Sequence, residues 1–114
     1  MSEKPLNKIA KELAEESIEL FGKKKATSKD PMVYHMLMVT EIAEAAEAYR
    51  TNQPAFYLDE KSGKPEGEAV ELIDALIRIL NYCGHRGWDV DAILKAKRDY
   101  NMTKRKWKKE GKKV

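Results

Sequence analysis

The apolar positions of this chain recur at three- and four-residue spacings almost throughout. Leu6, Ile9, Ala10, Leu13, Ile18 and Phe21 trace one stripe, which predicts a first amphipathic helix ended by Gly22. The stretch "KKKATSKDP" reads as a solvated connection. After Pro31, "MVYHMLMVTEIAEAAEAYR" is rich in helix formers and predicts a second helix from about Met32 to Arg50. "TNQPAFYLDEKSGKP", with its prolines and Ser-Gly pair, is expected to be a loop. A third helix is predicted from about Glu66 to Cys83 or Gly84. Ala69, Val70, Leu72, Ile73, Leu76, Ile77, Ile79 and Leu80 cover more than half its circumference, so it should be the most buried and packed on several sides. "GHRGWD" forms a turn, and Asp89 is an expected N-cap for a fourth helix through roughly Trp107. Gly111 marks a basic end, residues 108–114, expected to fray. No period-two strand pattern and no internal repeat is evident. The fold expected is all-α: a compact bundle of about four helices in one domain spanning residues 1–114.

Length and charge sharpen this picture. A chain of 114 residues suits one domain, and so short a helical chain often completes its core by self-association. The apolar share of the third helix exceeds what the few helices of one subunit can cover, so a homodimer or homotetramer is expected. The net charge is only +3, yet "KAKRDYNMTKRKWKKEGKKV" is strongly basic and implies an anionic partner. The only cysteine, Cys83, excludes an intrachain disulfide. No apolar run approaches the roughly 20 residues of a membrane span. "MSEKPLNKIAKELAEES" lacks the apolar core of a signal peptide, so a cytoplasmic location is expected.

Candidate chemistry lies in two acidic pairs. Residues three apart on a helix are about 60° apart around the axis and one turn apart along it. Glu41 and Glu44 therefore share one face of the second helix, and Glu71 and Asp74 share one face of the third. Glu–x–x–Glu pairs are abundant on solvated faces, where they mean nothing. "AVELIDALIRIL" is different, because an unpaired charge in so apolar a helix costs several kcal/mol unless a cation compensates it. If the two helices pack antiparallel, all four carboxylates can meet. Oxygen-only ligands of this kind suit Mg²⁺, or Mn²⁺, rather than zinc. Asn81 continues the stripe and could add a polar group. Glu47 reads as solvent-facing, and Glu68 as an acid favoured by the helix dipole. A di-iron bundle is excluded, since neither His35 nor His85 stands three residues after a glutamate. Cys83 near His85 reads as core rather than a nucleophile.

The ordered set "EIAEAAEAYR", "GKPEGEAVELIDALIRILNYCGHRGWD" and "KAKRDYNMTKRKWKKEGKK" resembles the MazG-like all-α nucleoside triphosphate pyrophosphohydrolases, from about Leu37 to the end. That resemblance implies Mg²⁺ held by Glu41, Glu44, Glu71 and Asp74, which also do the catalytic work. It implies hydrolysis of a nucleoside triphosphate to the monophosphate and pyrophosphate, to clear unwanted nucleotides. It also implies substrate binding by Lys97 and Asn101, which match the family's Lys-x-x-x-Asn element. Lys104 stands where relatives often carry arginine and Arg105 follows it, so either can touch phosphate. Two further departures are Asn81, where an acid is common, and Glu110, where histidine is frequent. Among the aromatic residues, Tyr100 beside Asn101 is the base-stacking candidate. A rival reading is a non-catalytic helical module that binds nucleic acid or a protein through the basic end, with Trp107 stacking on a base.

Overall fold

The computed structural model describes residues 3–109, and side chains as far as Lys104. Five helices carry the fold: α1 (Pro5–Phe21), α2 (Lys23–Thr27), α3 (Pro31–Arg50), α4 (Glu68–Arg86) and α5 (Val90–Lys109). Between α3 and α4, β1 (Tyr57–Leu58) and β2 (Pro65–Glu66) form a small antiparallel hairpin, with Tyr57 opposite Glu66 and Leu58 opposite Pro65. The all-α expectation holds, with two local corrections. Lys23–Thr27 is a short helix rather than open connection, and the expected loop contains the hairpin. Strands of two residues are too short to leave a period in the sequence.

Local chemistry explains the helix boundaries. Pro31 occupies the first turn of α3, where its missing N–H costs nothing, and Asp30 caps that helix by accepting from the Met32 amide at 2.8 Å. α4 passes the expected end at Cys83 or Gly84 and stops at Gly87. There a left-handed backbone (φ 69°) turns the Gly87 amide onto the Cys83 and Gly84 carbonyls. Gly84 has a different task. α1 crosses so close that a Cβ there would overlap the Ala10 carbonyl, so only glycine fits.

α4 lies between α1 and α3. Tyr34 meets Tyr82 with ring centroids 5.6 Å apart, and further along α3 Glu41 meets Arg78, so α3 and α4 run antiparallel. Ser17 faces Asn81 and His85 while Ala10 faces Gly84, joining α1 to the same helix. α5 packs chiefly on α1. The buried apolar residues are Ala10, Ala14, Ala45, Ala48, Ala75 and Leu80. Small side chains let the helices approach, but they bury little area.

Two expectations need correction here. The third predicted helix does pack between α1 and α3, but it is only partly covered, because Leu72, Ile73, Leu76, Ile77 and Ile79 of α4 are 38–53% exposed. Nor is the chain compact. Its radius of gyration is 17.7 Å, whereas a compact domain of about 100 residues has one of about 13 Å. α5 accounts for much of this, since 20 helical residues reach about 30 Å and this helix leans mainly on one neighbour. Among the described residues, no helix is long and apolar enough to cross a membrane. The basic end 110–114 lies outside the described residues.

Candidate metal and phosphate site

The antiparallel register of α3 and α4 sets Glu41 and Glu44, one turn apart, against Glu71. One carboxylate oxygen from each lies within 4.8 Å of the others. Their charges are not equally satisfied. Burial alone would raise the pKa of Glu41, but the hydrogen bond and charge of Arg78, then hydrogen bonds with Glu71 and Glu44, hold it below the ordinary value. Arg78 Nε donates to Glu41 Oε1 at 2.9 Å, and the Glu41 side chain is only 12% exposed. Among the described residues, Glu71 has no such cation. Burial, then the hydrogen bonds and charges of Glu44 and Glu41, push it up to about 7. The crossing therefore keeps a proton close to neutrality, because three carboxylates this near cannot all be charged cheaply.

Asp74 stands three residues after Glu71 and borders a cleft beside the crossing, together with Glu41, Arg78, Asn81, Leu13 and Ser17. Three of the four acids singled out from the sequence thus converge, and the fourth flanks them in a cleft that Glu41 shares. All donors are carboxylate oxygens, the set suited to a hard divalent cation such as Mg²⁺ or Mn²⁺. Burial first, and then the neighbouring Glu44 and Glu41, raise the pKa of Glu71, while the one guanidinium at the crossing is bonded to Glu41. These residues fit such an ion.

The basic face is not brought to the same place. Lys97, Asn101 and Lys104 lie on α5, and none of these three lines the cleft beside the acids. The Lys97 ammonium sits 5.3 Å from the centre of the Tyr100 ring, and Tyr100 is largely exposed. Arg105 belongs to α5, but its side chain lies outside the described residues.

Two participants were missed by sequence reasoning. Arg78 follows Asp74 by one turn on α4, and a cation within "LIRIL" meets the criterion that marked Glu71 and Asp74. Ser17 is the other. Its hydroxyl lies 2.8 Å from His85 Nε2 and 3.1 Å from Asn81 Oδ1, a link between α1 and α4 that no local pattern announces. Among the described residues His85 has no second hydrogen-bond partner to orient it, so the pair lacks the third member of a nucleophilic triad. Burial lowers the pKa of His85, favouring the neutral imidazole, and raises that of the Cys83 thiol, as expected of core groups.

Compared with known proteins, the chain matches no family model, no curated protein and no solved structure at a significant level.

Proposed function

We propose that this chain is a Mg²⁺-dependent nucleotide pyrophosphohydrolase. It would cleave the α–β phosphoanhydride of a nucleoside or deoxynucleoside triphosphate in the cytoplasmic nucleotide pool. The observation that carries this reading is the convergence of Glu41, Glu44 and Glu71 from two antiparallel helices, with Asp74 alongside. These four residues would hold the ion. A bound Mg²⁺ supplies Lewis-acid polarisation of phosphoryl oxygens and lowers the pKa of water. Attack of water at the α-phosphorus forms one P–O bond and breaks the bridge to the β-phosphate, and a carboxylate of the set accepts the water's proton. α4 supplies rigidity, since a site built on helices holds its geometry better than one on loops.

The exposed apolar side of α4 fits burial against a second copy, in a homodimer or homotetramer. Light scattering of the purified chain would read that directly. The basic face of α5, where Lys97 and Lys104 are exposed, keeps a second reading in view: binding of nucleic acid through phosphate contacts. A salt-sensitive shift of single- or double-stranded DNA, lost on truncation after Tyr100, would favour it.

The deciding experiment is a panel of canonical and modified triphosphates assayed for pyrophosphate release with and without Mg²⁺. Release should require the ion and vanish in Glu71→Gln and Asp74→Asn, with helical content unchanged. Activity in those variants equal to the parent would reject the assignment of these acids.

A further inference from the structure

A second cleft of about 210 Å³ adjoins the acidic one, and Arg78 and Asn81 line both. Its other walls come from the end of α2, the α2–α3 connection, the start of α3 and the end of α4. Lys29, Arg78 and Arg86 line it, with His85, and among the described residues no carboxylate does. The two clefts therefore have opposite charge and meet at one guanidinium.

The cations are poised rather than spent. Arg78 gives only its Nε to Glu41, and among the described residues its two terminal nitrogens have no hydrogen-bond partner. Neither Lys29 nor Arg86 forms an ion pair among those residues. Aromatic rings hold both in place: Lys29 Nζ lies 5.8 Å from the Tyr34 ring centre, and Arg86 Cζ lies 5.7 Å from the centres of Tyr82 and Trp88. Tyr82 also packs against Tyr34 and His35. The volume falls below the roughly 300 Å³ at the small end of ligand pockets, so the cleft suits part of a ligand rather than a whole nucleotide.

The geometry points to this cleft as the seat of the outer phosphates of a di- or triphosphate chain, with the inner end of that chain at the carboxylates. Planar guanidinium groups bind phosphate bidentately, which Arg78 can do while Nε stays on Glu41. Arg78 would then tie the leaving pyrophosphate to the acidic crossing, whereas the resemblance implied phosphate contacts from α5. The binding itself is independent of the proposed hydrolysis, while its role in product departure rests on that reading.

Calorimetric titration of the whole chain with inorganic tripolyphosphate, in EDTA and at low salt, tests the binding without Mg²⁺ or turnover. Arg78→Gln should weaken binding about tenfold or more, as expected for loss of a charge-assisted contact. Lys29→Gln and Arg86→Gln, which leave Glu41 paired, should each weaken it several-fold. Lys97→Gln should leave it unchanged, and a nucleoside without phosphates should show no dependence on Arg78. Circular dichroism would establish that each variant is folded. The inference is overturned if tripolyphosphate does not bind the parent chain, or binds the three cleft variants as well as the parent. It is also overturned if Lys97→Gln weakens binding as much as they do. Arg78-dependent binding without any pyrophosphate release would sink the hydrolase reading and leave the cleft standing. Release with an unaltered KM in Arg78→Gln would do the reverse.

Discussion

Asp89 and Glu71 are both part-buried carboxylates at a contact between two helices, and their electrical states are opposite. At the α1–α5 junction Asp89 accepts from the Asn7 side chain at 2.7 Å, the Ala92 amide at 3.1 Å and the Lys4 ammonium at 3.1 Å. Those partners, Asn7 foremost, hold its pKa down to about 2. The junction is reciprocal. Asn7 Oδ1 caps α5 through the Val90 amide at 2.7 Å, and Asp91 caps α1 through the Asn7 amide at 2.8 Å. At the α3–α4 crossing Glu71 meets Glu41 and Glu44 instead, and burial first, then those two acids, lift its pKa to about 7. The same functional group serves structure where helix-end amides satisfy it. Where it is partly buried beside other acids, it stores a demand for positive charge. Strongly perturbed carboxylates of the second kind concentrate at functional sites.

The sharpest test of this contrast is activity. Glu71→Gln and Asp74→Asn should each cut Mg²⁺-dependent pyrophosphate release by about a hundredfold or more, because removing a ligand or a transition-state contact acts on the chemical step. Asp89→Asn should leave that rate within about twofold, since asparagine still caps a helix. Steady-state assays on the three variants would separate the two kinds of acid.

The next effect is on stability against pH. Without divalent ions, Glu71 is protonated in the folded chain up to about pH 7, whereas the unfolded chain releases that proton near the ordinary value of 4.5. Between these values the native state binds more protons, so stability falls as pH rises through that window. Thermal melts in EDTA should show the decline in the parent and a flatter profile in Glu71→Gln. Mg²⁺ should restore the parent at pH 7 by binding the native state. A parent profile no steeper than that of the variant would refute the crowding of these acids.

Why one region was legible and the other was not follows from the range of the interactions. Glu71 and Asp74 stood out because charge interrupts the apolar pattern of their own helix, and Glu41 and Glu44 because they pair within one turn. Asp89 was legible as a cap, since its bond to Ala92 spans three residues. Its partner Asn7 is 82 residues away, and nothing in "PLNKIA" separates a capping asparagine from a solvated one. Arg78 was readable in principle, but its bond to Glu41 spans 37 residues and depends on the α3–α4 register. The exposed apolar side of α4 illustrates the same limit. Periodicity shows that the side needs cover without showing where in the molecule the cover lies.

A smaller effect is expected from the reciprocal caps. Asp91→Ala removes the acceptor for the Leu6 and Asn7 amides at the start of α1, and loss of a helix cap costs about 1–2 kcal/mol. In a domain near this size that lowers the melting temperature by several degrees. Asp91→Asn should recover most of the loss, because an amide oxygen also caps. If Asp91→Ala melts with the parent, the cap from Asp91 contributes nothing to the hold on α1.

The smallest effect concerns acid. Because Asp89 titrates at about 2 in the folded chain, below its ordinary value of 3.8, the unfolded state takes up its proton first as pH falls. Its contribution is therefore complete above about pH 4 and is lost progressively toward pH 2. Other carboxylates titrate in the same range, so the informative quantity is the difference between the parent and Asp89→Asn, whose side chain carries no titrating proton. The gap between their melting temperatures should be widest at pH 5, in favour of the parent, and should close on approaching pH 2. A gap that stays constant across that range would mean that Asp89 acts only as a hydrogen-bond acceptor, with its charge irrelevant. The contrast with Glu71 would then rest on crowding at the crossing alone.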